Sequence, residues 1–388
     1  MTGASYDMLR VERVTLGRDA AETAAAEMDR IGAKRALIIS SGTLARETSE
    51  IESIQSALGD KAAGLFTSCR AHSPQDDALA VAEAARTADA DIFITVGGGT
   101  IIDTTKVAQL CVTEDIHDLD ALGQYALGRA GVKDLKTCGP VYKRQIAIPT
   151  TLSAAEFTAL GGATNIDTRV KEAFTAPDFV ARSIIYDPRL CTNTPMDLWL
   201  STGIRSVDHA VEGYCAKAAS PAIKGSFVQS LKMLARSLRT TAIDPNDLTA
   251  RLNSQEALWL GSMGRSYVTM GASHGLGYIL GGAFGVPHGV TSCVMLPAVV
   301  EWNADTIGRE GRTELAQALS GKASDDPADL LRTLMEDLGQ PHTLAAVGIK
   351  ESDWQKIADM AMQNFVVLSN PRTISGPDDV FEILKIAA

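Results

Sequence analysis

The 388-residue sequence lacks cysteine pairs at the spacing of a metal or redox motif. Its six cysteines are scattered and contain no Cys-x-x-Cys, which is typical of reduced, mostly buried thiols rather than of a disulfide framework or a thiolate metal site. No run approaches the roughly 18 to 20 apolar residues that span a bilayer. The start, from Met1 to Arg13, has no basic segment followed by an apolar one. We therefore expect a cytoplasmic protein with no membrane partner.

Positive charge is also scarce, with 36 Lys and Arg against 47 Asp and Glu and a formal net charge of −11. No block of Lys or Arg is present, so we do not expect a nucleic-acid partner. Aromatic residues make up only 5%, yet 45% of the chain is hydrophobic and 21% is charged. This balance excludes disorder, collagen and a small disulfide scaffold. The length predicts two domains.

The first half alternates strand-like and helix-like segments, which is the pattern of a parallel sheet covered by helices. After about Asp187, long amphipathic stretches replace the strand signals. We expect an α/β, dinucleotide-binding parallel-sheet domain over residues 1–187 and an all-helical domain over 188–388. The predicted strands are Ala36–Ser40, Asp91–Val96, Gln145–Pro149 and Ser183–Tyr186; the predicted helical segments include residues 19–31, 77–88, 195–218, 226–239 and 248–270.

A glycine cluster lies where a predicted strand passes into a helix. Glycines let the backbone approach a phosphate, and the free N–H groups of a helix start can bind it. The cluster differs from the Gly-x-Gly-x-x-Gly fingerprint, and a tight turn is the alternative. A second, hydroxyl-rich segment follows the next strand; its alternative is a capped helix start. The residues that we assign to the cofactor are Gly97, Gly98, Gly99, Thr100, Asp103, Thr150, Thr151, Ser153 and Lys171.

Dinucleotide domains often select NAD with an acidic side chain near the end of a strand. The first predicted strand instead ends at Ser40, Ser41 and Gly42. No carboxylate there repels a 2′-phosphate, and no Arg or Lys is supplied to bind one. We assign Ser41 to the cofactor site and expect NADH, NADPH or both to be used.

Three of the six histidines lie in suggestive positions in the second half. His209 follows Arg205 by four residues, so both lie on one helix face. His274 and His288 are 14 residues apart, roughly 21 Å along an unbroken helix. The glycines between them and Pro287 allow the chain to bend and bring both to one site. The alternative is three unrelated histidines.

Together these motifs resemble the iron-containing, or group III, alcohol dehydrogenase superfamily over nearly the whole chain. The resemblance rests on the glycine loop with Asp103 and Lys106, the Pro149–Thr151 loop, residues 186–188, the histidine segments and Asn370–Arg372. It implies an N-terminal dinucleotide-binding domain, a helical C-terminal domain and an active site in the cleft between them. It also implies NAD(P) on the glycine loop and Fe(II) or Zn(II) held by one Asp and three His.

The metal set departs from the family pattern. The family histidines fall on His209, His274 and His288, but the aspartate position falls on Arg205. A permanent cation repels a divalent metal, so we predict no bound metal. Asp208 is predicted to lie on the wrong helix face to replace the aspartate, and Glu212 is a lesser substitute. A second family histidine is replaced by Tyr278, whose hydroxyl is a candidate for proton relay.

The Pro149 to Thr158 loop and the segment from Gly281 to His288 are similar to maleylacetate reductases. We therefore expect an NAD(P)H-dependent reductase of a small oxo acid or enone from aromatic-compound breakdown, acting as a homodimer. The assigned catalytic residues are Arg205, His209, His274, Tyr278 and His288, with Arg205 or a protonated histidine stabilising the oxyanion. The alternatives are a metal-dependent alcohol or aldehyde dehydrogenase, a dehydroquinate synthase-like lyase, a non-catalytic binding protein, and a purely structural ion pair at Arg205.

Overall fold

The computed structural model describes residues 8–129, 135–322 and 325–388. The chain divides into two compact units, with the division between Thr194 and Pro195. The observed division lies a few residues after the predicted one. The segment between them contains a short 3-10 turn, Leu190–Asn193, which belongs to the first unit. Leu190 joins a core of that unit, and Thr194 donates a hydrogen bond to the Thr150 carbonyl.

The first unit is built on a six-stranded, fully parallel sheet, so the predicted fold class is confirmed. The strand order is β1-β8-β5-β4-β2-β3, and a separate antiparallel hairpin pairs β6 with β7. The strands are β1 Arg13–Leu16, β2 Ala36–Ser40, β3 Ala62–Phe66, β4 Ile92–Gly97, β5 Gln145–Pro149, β6 Leu160–Thr164, β7 Lys171–Thr175 and β8 Ser183–Tyr186.

Helices cover both faces of this sheet. Successive side chains of a strand point to opposite faces, and β2 shows this directly. Leu37 and Ile39 enter one apolar core, whereas Ala36 and Ile38 enter another. Burial on both faces explains why the strands have near-continuous apolar sequences. The helices of this unit are α1 Ala20–Ile31, α2 Gly42–Glu47, α3 Glu50–Leu58, α4 Gln75–Thr87, α5 Gly99–Thr113 and α6 Leu119–Gly123.

The second unit has no strand among its described residues. A single apolar cluster gathers side chains from five of its helices, α10, α11, α14, α15 and α16. The helices of this unit are α7 Met196–Cys215, α8 Pro221–Ile243, α9 Leu248–Arg265, α10 Ala272–Phe284, α11 His288–Trp302, α12 Ala304–Ser320, α13 Pro327–Asp337, α14 Trp354–Ala361, α15 Phe365–Leu368 and α16 Pro377–Ile386.

The predicted bend between His274 and His288 is present. Helix α10 ends at Phe284, and Gly285 follows in the left-handed region with φ of 73°. Glycine adopts this conformation without the steric cost of a Cβ atom. Pro287 then precedes α11, whose first residue is His288. The turn therefore reverses the chain and returns His288 toward α10.

Several predicted bounds differ from the structure. The helical stretch predicted over 248–270 ends at Arg265, and strands β1, β3, β6 and β7 were not among those predicted. No helix among the described residues is long and apolar enough to cross a bilayer. The first seven residues of the start examined for a leader lie outside the described residues.

Lys106 of α5 is fully buried and joins this helix to the segment before β6. Its Nζ donates to the carbonyls of Ala155 at 2.6 Å and Leu160 at 2.8 Å, and to Thr158 Oγ1 at 2.8 Å. Asp103 Oδ1 lies 3.3 Å away. One ammonium group thus satisfies several buried acceptors, which would lose their donor together.

We expect Lys106→Met to reduce the free energy of unfolding by about 3 to 5 kcal/mol, because buried acceptors and a partly buried carboxylate lose their charged partner. Denaturant unfolding measures the change. The matched control is Lys217→Met, at an exposed position, where we expect about 0.5 kcal/mol or less. Equal effects of the two substitutions would contradict the assigned role of Lys106.

Candidate functional site

The glycine loop lies at the carboxyl end of β4, beside the ends of its two neighbouring strands. Gly97 pairs with Pro149 of β5, and Ser40 of β2 pairs with Val96. The Thr150 N–H donates to the Gly97 carbonyl at 3.1 Å. Parallel strands thus bring the predicted glycine loop, the hydroxyl-rich segment and Ser41 to one edge of the sheet, where dinucleotides bind in such folds.

Close packing explains why the loop needs glycine. A Cβ at Gly98 would lie 2.9 Å from Thr151 Cγ2, and one at Gly99 would lie 2.9 Å from Ser153 Oγ. Gly97 has φ of 155°, a conformation that few other residues adopt. The loop then opens directly into α5, with Gly98 as the residue that precedes the helix.

Two hydroxyls beside this loop have no hydrogen-bond partner within the described residues. They are Thr151 Oγ1 and Ser153 Oγ, and both atoms are buried. Buried hydroxyls are rarely left unpaired in folded proteins. The helix N-terminus and the two hydroxyls together suit a phosphate. These residues therefore fit the pyrophosphate of a dinucleotide.

Asp103 and Lys171 lie together on the same side of α5. Lys171 Nζ is 3.9 Å from Asp103 Oδ2, and the Gly162 N–H donates to that oxygen at 3.3 Å. Asp103 also approaches Lys106. Its carboxylate is therefore engaged by protein groups, whereas the ammonium of Lys171 is more than half exposed.

Ser41 precedes α2, and its Oγ accepts the N–H of Leu44 at 3.2 Å. The structure also reveals a cation that the sequence reading missed. The guanidinium of Arg46 covers Gly42, where Nη1 would lie 2.7 Å from an added Cβ. The expectation that no Arg or Lys is supplied at this strand end is therefore wrong. Its cause is the turn of α2, which returns residue 46 toward the residues after β2.

In the second unit, Arg205 is 3% exposed and therefore buried in α7. Its Nη1 donates to Ser292 Oγ at 2.8 Å and lies 3.5 Å from Asp208 Oδ2. Its Nε is buried and has no hydrogen-bond partner among the described residues. The guanidinium is thus held at one nitrogen and leaves a donor unused at another.

Asp208 lies inside this network, so its predicted placement on the wrong face is corrected. It is fully buried, and its Oδ2 accepts from Ser273 Oγ at 2.9 Å and Ser292 Oγ at 2.6 Å. Residues three apart on a helix are neighbours, which brings Asp208 to Arg205. Burial raises the pKa of Asp208 to about 6, with Arg205 and the two serines opposing the shift.

Glu212 lies one turn further along α7, and it makes more contacts than its predicted role as a lesser substitute for the aspartate implies. Its carboxylate accepts the backbone N–H groups of Gly271 at 2.9 Å and Ser273 at 2.7 Å, and that of His274 at 3.3 Å. It also meets His274 Nδ1 at 2.8 Å. The N-terminus of α10 has no side-chain cap of its own. Glu212 serves as that cap from a neighbouring helix.

The aromatic rings of the predicted site form one connected group. His209 stacks on His274 with ring centroids 4.9 Å apart, and His288 stacks on Tyr278 at 6.1 Å and 2°. The Arg205 guanidinium lies over the Tyr278 ring at 5.5 Å. Tyr278 is 41% exposed, whereas His274 is fully buried. All five residues assigned to catalysis therefore lie together.

Burial makes two of the histidines difficult to protonate. Desolvation, followed by the positive charge of Arg205, lowers the pKa of His274 to about 3. Desolvation and nearby Arg265 hold the pKa of His209 well below its ordinary value. Both imidazoles are therefore neutral near pH 7. A protonated His209 or His274 as oxyanion donor, which the sequence reading allowed, is not supported.

Among the described residues, the atoms that could hold a metal ion come close together in a group other than the three histidines expected from the sequence. Asp208, Glu212 and His274 bring one ligand atom each within 4.8 Å of one another. Within the described parts of the chain, His209, His274 and His288 do not form such a group. The Nδ1 side of His274 faces the two carboxylates. The sequence analysis did not predict this group because it placed Asp208 on the wrong helix face and ranked Glu212 as a lesser substitute for the missing aspartate.

Comparison with known proteins gives the family. A family description, iron-containing alcohol dehydrogenase, matches residues 12–188, and that of the C-terminal part of the Fe-containing alcohol dehydrogenase family matches residues 199–388. The chain belongs to the iron-containing alcohol dehydrogenase family. It is accordingly an oxidoreductase.

Individual relatives include enzymes of more than one kind. The dehydrogenase ALT3 of Alternaria alternata is 32% identical over 92% of this chain and 99% of its own length. The maleylacetate reductase of Sphingobium indicum is 29% identical, over 95% and 93%. The crystal structure of maleylacetate reductase from Rhizobium sp. strain MTP-10005 is 25% identical, with a TM-score of 0.83 and coverage of 100% and 98%. The expected likeness to maleylacetate reductases within the family is confirmed.

In this family member, we expect Gly98→Val to abolish dinucleotide binding while the protein remains folded. The valine forces Thr151 to shift at the loop that approaches the phosphates. Titration of NADH fluorescence measures binding, and thermal unfolding verifies the fold. Gly225→Val is the control, because nothing lies within 4 Å of an added Cβ there. Unchanged cofactor affinity in the Gly98 variant would rule out the glycine loop as the cofactor site.

Proposed function

We propose that the protein is an NAD(P)H-dependent reductase of a small oxo acid or enone that carries a carboxylate, similar to maleylacetate reductases, and that it works without a metal. The observation that carries the proposal is Arg205, a buried cation whose Nε has no hydrogen-bond partner among the described residues. A guanidinium pairs with carboxylates through two parallel N–H groups.

The surroundings of Arg205 support anion recognition. Asp208 and Ser292 hold the Nη1 side of the guanidinium. Its orientation is therefore set before a ligand arrives, which reduces the entropy lost on binding. The neutral state of His209 and His274 leaves Arg205 as the permanent cation of this group.

The proposed reaction places each side chain in a distinct role. NAD(P)H supplies the hydride, for which the glycine loop and the hydroxyls of Thr151 and Ser153 provide a fitting pyrophosphate site. Arg205 anchors the substrate carboxylate or donates to the oxygen on which negative charge develops. The Tyr278 ring lies against Arg205, His274 and His288, and its hydroxyl supplies the proton. Neutral His274 accepts a hydrogen bond.

Metal independence is supported by the chemistry of the donor set. The ligand atoms of Asp208, Glu212 and His274 already bond to serine hydroxyls, backbone N–H groups and one another. A divalent ion among them would displace these bonds. It would also lie within a few ångströms of Arg205, which does not lose its proton. The charge of Arg205 therefore opposes a divalent ion at this donor set, although its residue types are those of a metal site.

The second candidate is a metal-dependent alcohol or aldehyde dehydrogenase. One observation favours it, the approach of Asp208, Glu212 and His274 within 4.8 Å. Such an enzyme would use the ion to polarise a carbonyl, and its ligands would include two residues that differ from the family pattern read from the sequence.

Cytoplasmic location, a homodimer, a role in aromatic-compound breakdown and a domain division near residue 188 remain part of the proposal. The net charge of −11 is consistent with the absence of a nucleic-acid partner. No observation on the described residues favours the lyase or the non-catalytic alternative.

We expect Arg205→Lys to raise the KM for a carboxylate substrate by roughly ten- to hundredfold with a smaller change in kcat. The loss of a charge-assisted hydrogen bond is worth about 1.5 to 3 kcal/mol. Arg205→Asp should have a larger effect and raise the affinity for Zn(II). Initial rates measure the first change, and metal titration measures the second.

The control for this prediction is a substrate whose carboxylate is blocked as an ester. The methyl ester of the same substrate should bind the unmodified enzyme as weakly as the acid binds the Arg205→Lys variant. The variant itself should bind the acid and the ester about equally well. An ester that is turned over as well as the acid by the unmodified enzyme would contradict the role of Arg205.

We also propose that NADPH is accepted, with Arg46 beside the 2′-phosphate. Arg46 is exposed, and no ion pair or hydrogen bond of its side chain occurs within the described parts of the chain. Arg46→Ala should raise the dissociation constant of NADPH about tenfold and leave that of NADH within twofold, since only one cofactor has the phosphate. Arg35→Ala, on the same unit but at the other end of β2, is the control. Equal weakening of both cofactors would refute this role.

A further inference from the structure

The Glu212 carboxylate sets the chemical form of the His274 ring. An ionised carboxylate can only accept hydrogen bonds, and that of Glu212 faces three backbone N–H donors in addition to His274 Nδ1. A proton on Oε2 that donated to Nδ1 would weaken the acceptance of the Gly271 and His274 backbone N–H groups, which point at the same oxygen. The proton between Glu212 and His274 therefore belongs to Nδ1 of the ring.

The opposite nitrogen of the ring is then without a proton. His274 Nε2 is buried and has no hydrogen-bond partner among the described residues. The His209 ring stacks on the same imidazole, so it covers a face of the ring and does not occupy the plane in which the Nε2 lone pair points. A buried lone pair of this kind requires a donor.

The backbone around Glu212 is shaped for this contact. A Cβ at Gly271 would lie 3.0 Å from Glu212 Oε1 and 2.9 Å from Asn370 Oδ1. Asn370 in turn accepts the Ala272 N–H. Two polar side chains from outside α10 thus hold its first turn, and a negative charge at a helix N-terminus is favourable. His274, in that turn, is fixed in position along with the backbone.

We propose that Glu212 is a positioning residue that fixes His274 in the tautomer with its proton on Nδ1, so that Nε2 is presented as a hydrogen-bond acceptor to a hydroxyl of the ligand. The identity of that hydroxyl, an enol or alcohol of the substrate, rests on the proposed function. The tautomer does not, because it follows from contacts within α7 and α10. With the tautomer fixed, the ring is already in the form that accepts a hydrogen bond before each turnover begins.

Nitrogen-15 NMR of the histidine rings tests this directly in the full-length protein. Proton-coupled and unprotonated ring nitrogens have distinct shifts, and a His274→Gln variant assigns the signal among only six histidines. We expect a protonated Nδ1 and an unprotonated Nε2 for His274 at pH 7. A His274 signal with its proton on Nε2, or with both nitrogens protonated, would overturn the proposal without involving any substrate.

Variants separate positioning from a merely structural role. Glu212→Ala should release the Nδ1 tautomer and lower kcat about tenfold or more, with KM changed less than threefold, as for other groups that orient a functional histidine. Glu212→Gln retains one carbonyl oxygen for Nδ1 and should restore the tautomer and most of kcat. Unchanged His274 shifts in a folded Glu212→Ala protein would contradict the assignment.

The matched control is Glu314→Ala, which removes a carboxylate that accepts the Tyr214 hydroxyl, also a side chain of α7. We expect the His274 shifts and kcat to remain unchanged in this variant. If both alanine variants lower kcat equally and leave the His274 signal in place, Glu212 supports the fold and does not position the ring. Failure of every oxo acid as a substrate would instead refute the proposed function while leaving the tautomer result intact.

Discussion

The buried contact between Arg205 and Asp208 determines the chemistry of the helical unit. A guanidinium that is 3% exposed would be very costly without a nearby anion and hydrogen-bond acceptors. Asp208 and Ser292 provide them on one side. The same positive charge contributes to the low pKa values of His209 and His274. One substitution at a ligand position of the family thus changes the local charge, the protonation of the imidazoles and the kind of ligand that fits.

The two buried carboxylates of α7, Asp208 and Glu212, have different partners and different roles. Asp208 balances the cation and accepts hydroxyls from α10 and α11, whereas Glu212 caps α10 and holds His274. Both residues are buried, and their hydrogen bonds connect three helices. A network in which nearly every donor and acceptor is satisfied is rigid. Three buried atoms of this network have no hydrogen-bond partner among the described residues: Arg205 Nε, Asp208 Oδ1 and His274 Nε2. Arg205 Nε is a donor and His274 Nε2 is an acceptor, which is the pair that an oxo or hydroxy acid would match.

Much of the fold was predictable from the sequence, and part of the site was not. The apolar strands β2, β4, β5 and β8, the glycine loop and the turn before His288 all follow from local patterns, because burial on both faces, close phosphate approach and chain reversal each require particular residues. An ion pair at Arg205 was among the alternatives, but the position of Asp208 inside the site was not predicted, because Asp208 was compared with the adjacent His209 and not with Arg205 three positions earlier. Glu212 as a cap of α10 depends on a contact between distant segments, which no local pattern records. Arg46 lies only four residues after Gly42 in α2, so its position beside Gly42 is local and was overlooked.

The central claim is that Arg205 makes this family member an anion-binding reductase that needs no metal. Elemental analysis of the purified protein, combined with the rate of oxo-acid reduction before and after treatment with a strong chelator, tests it most directly. The account predicts far less than one Fe or Zn per chain and an unchanged rate after chelation, since the cation opposes a divalent ion. Stoichiometric iron or zinc, with activity lost on chelation and restored by the same ion, would contradict it.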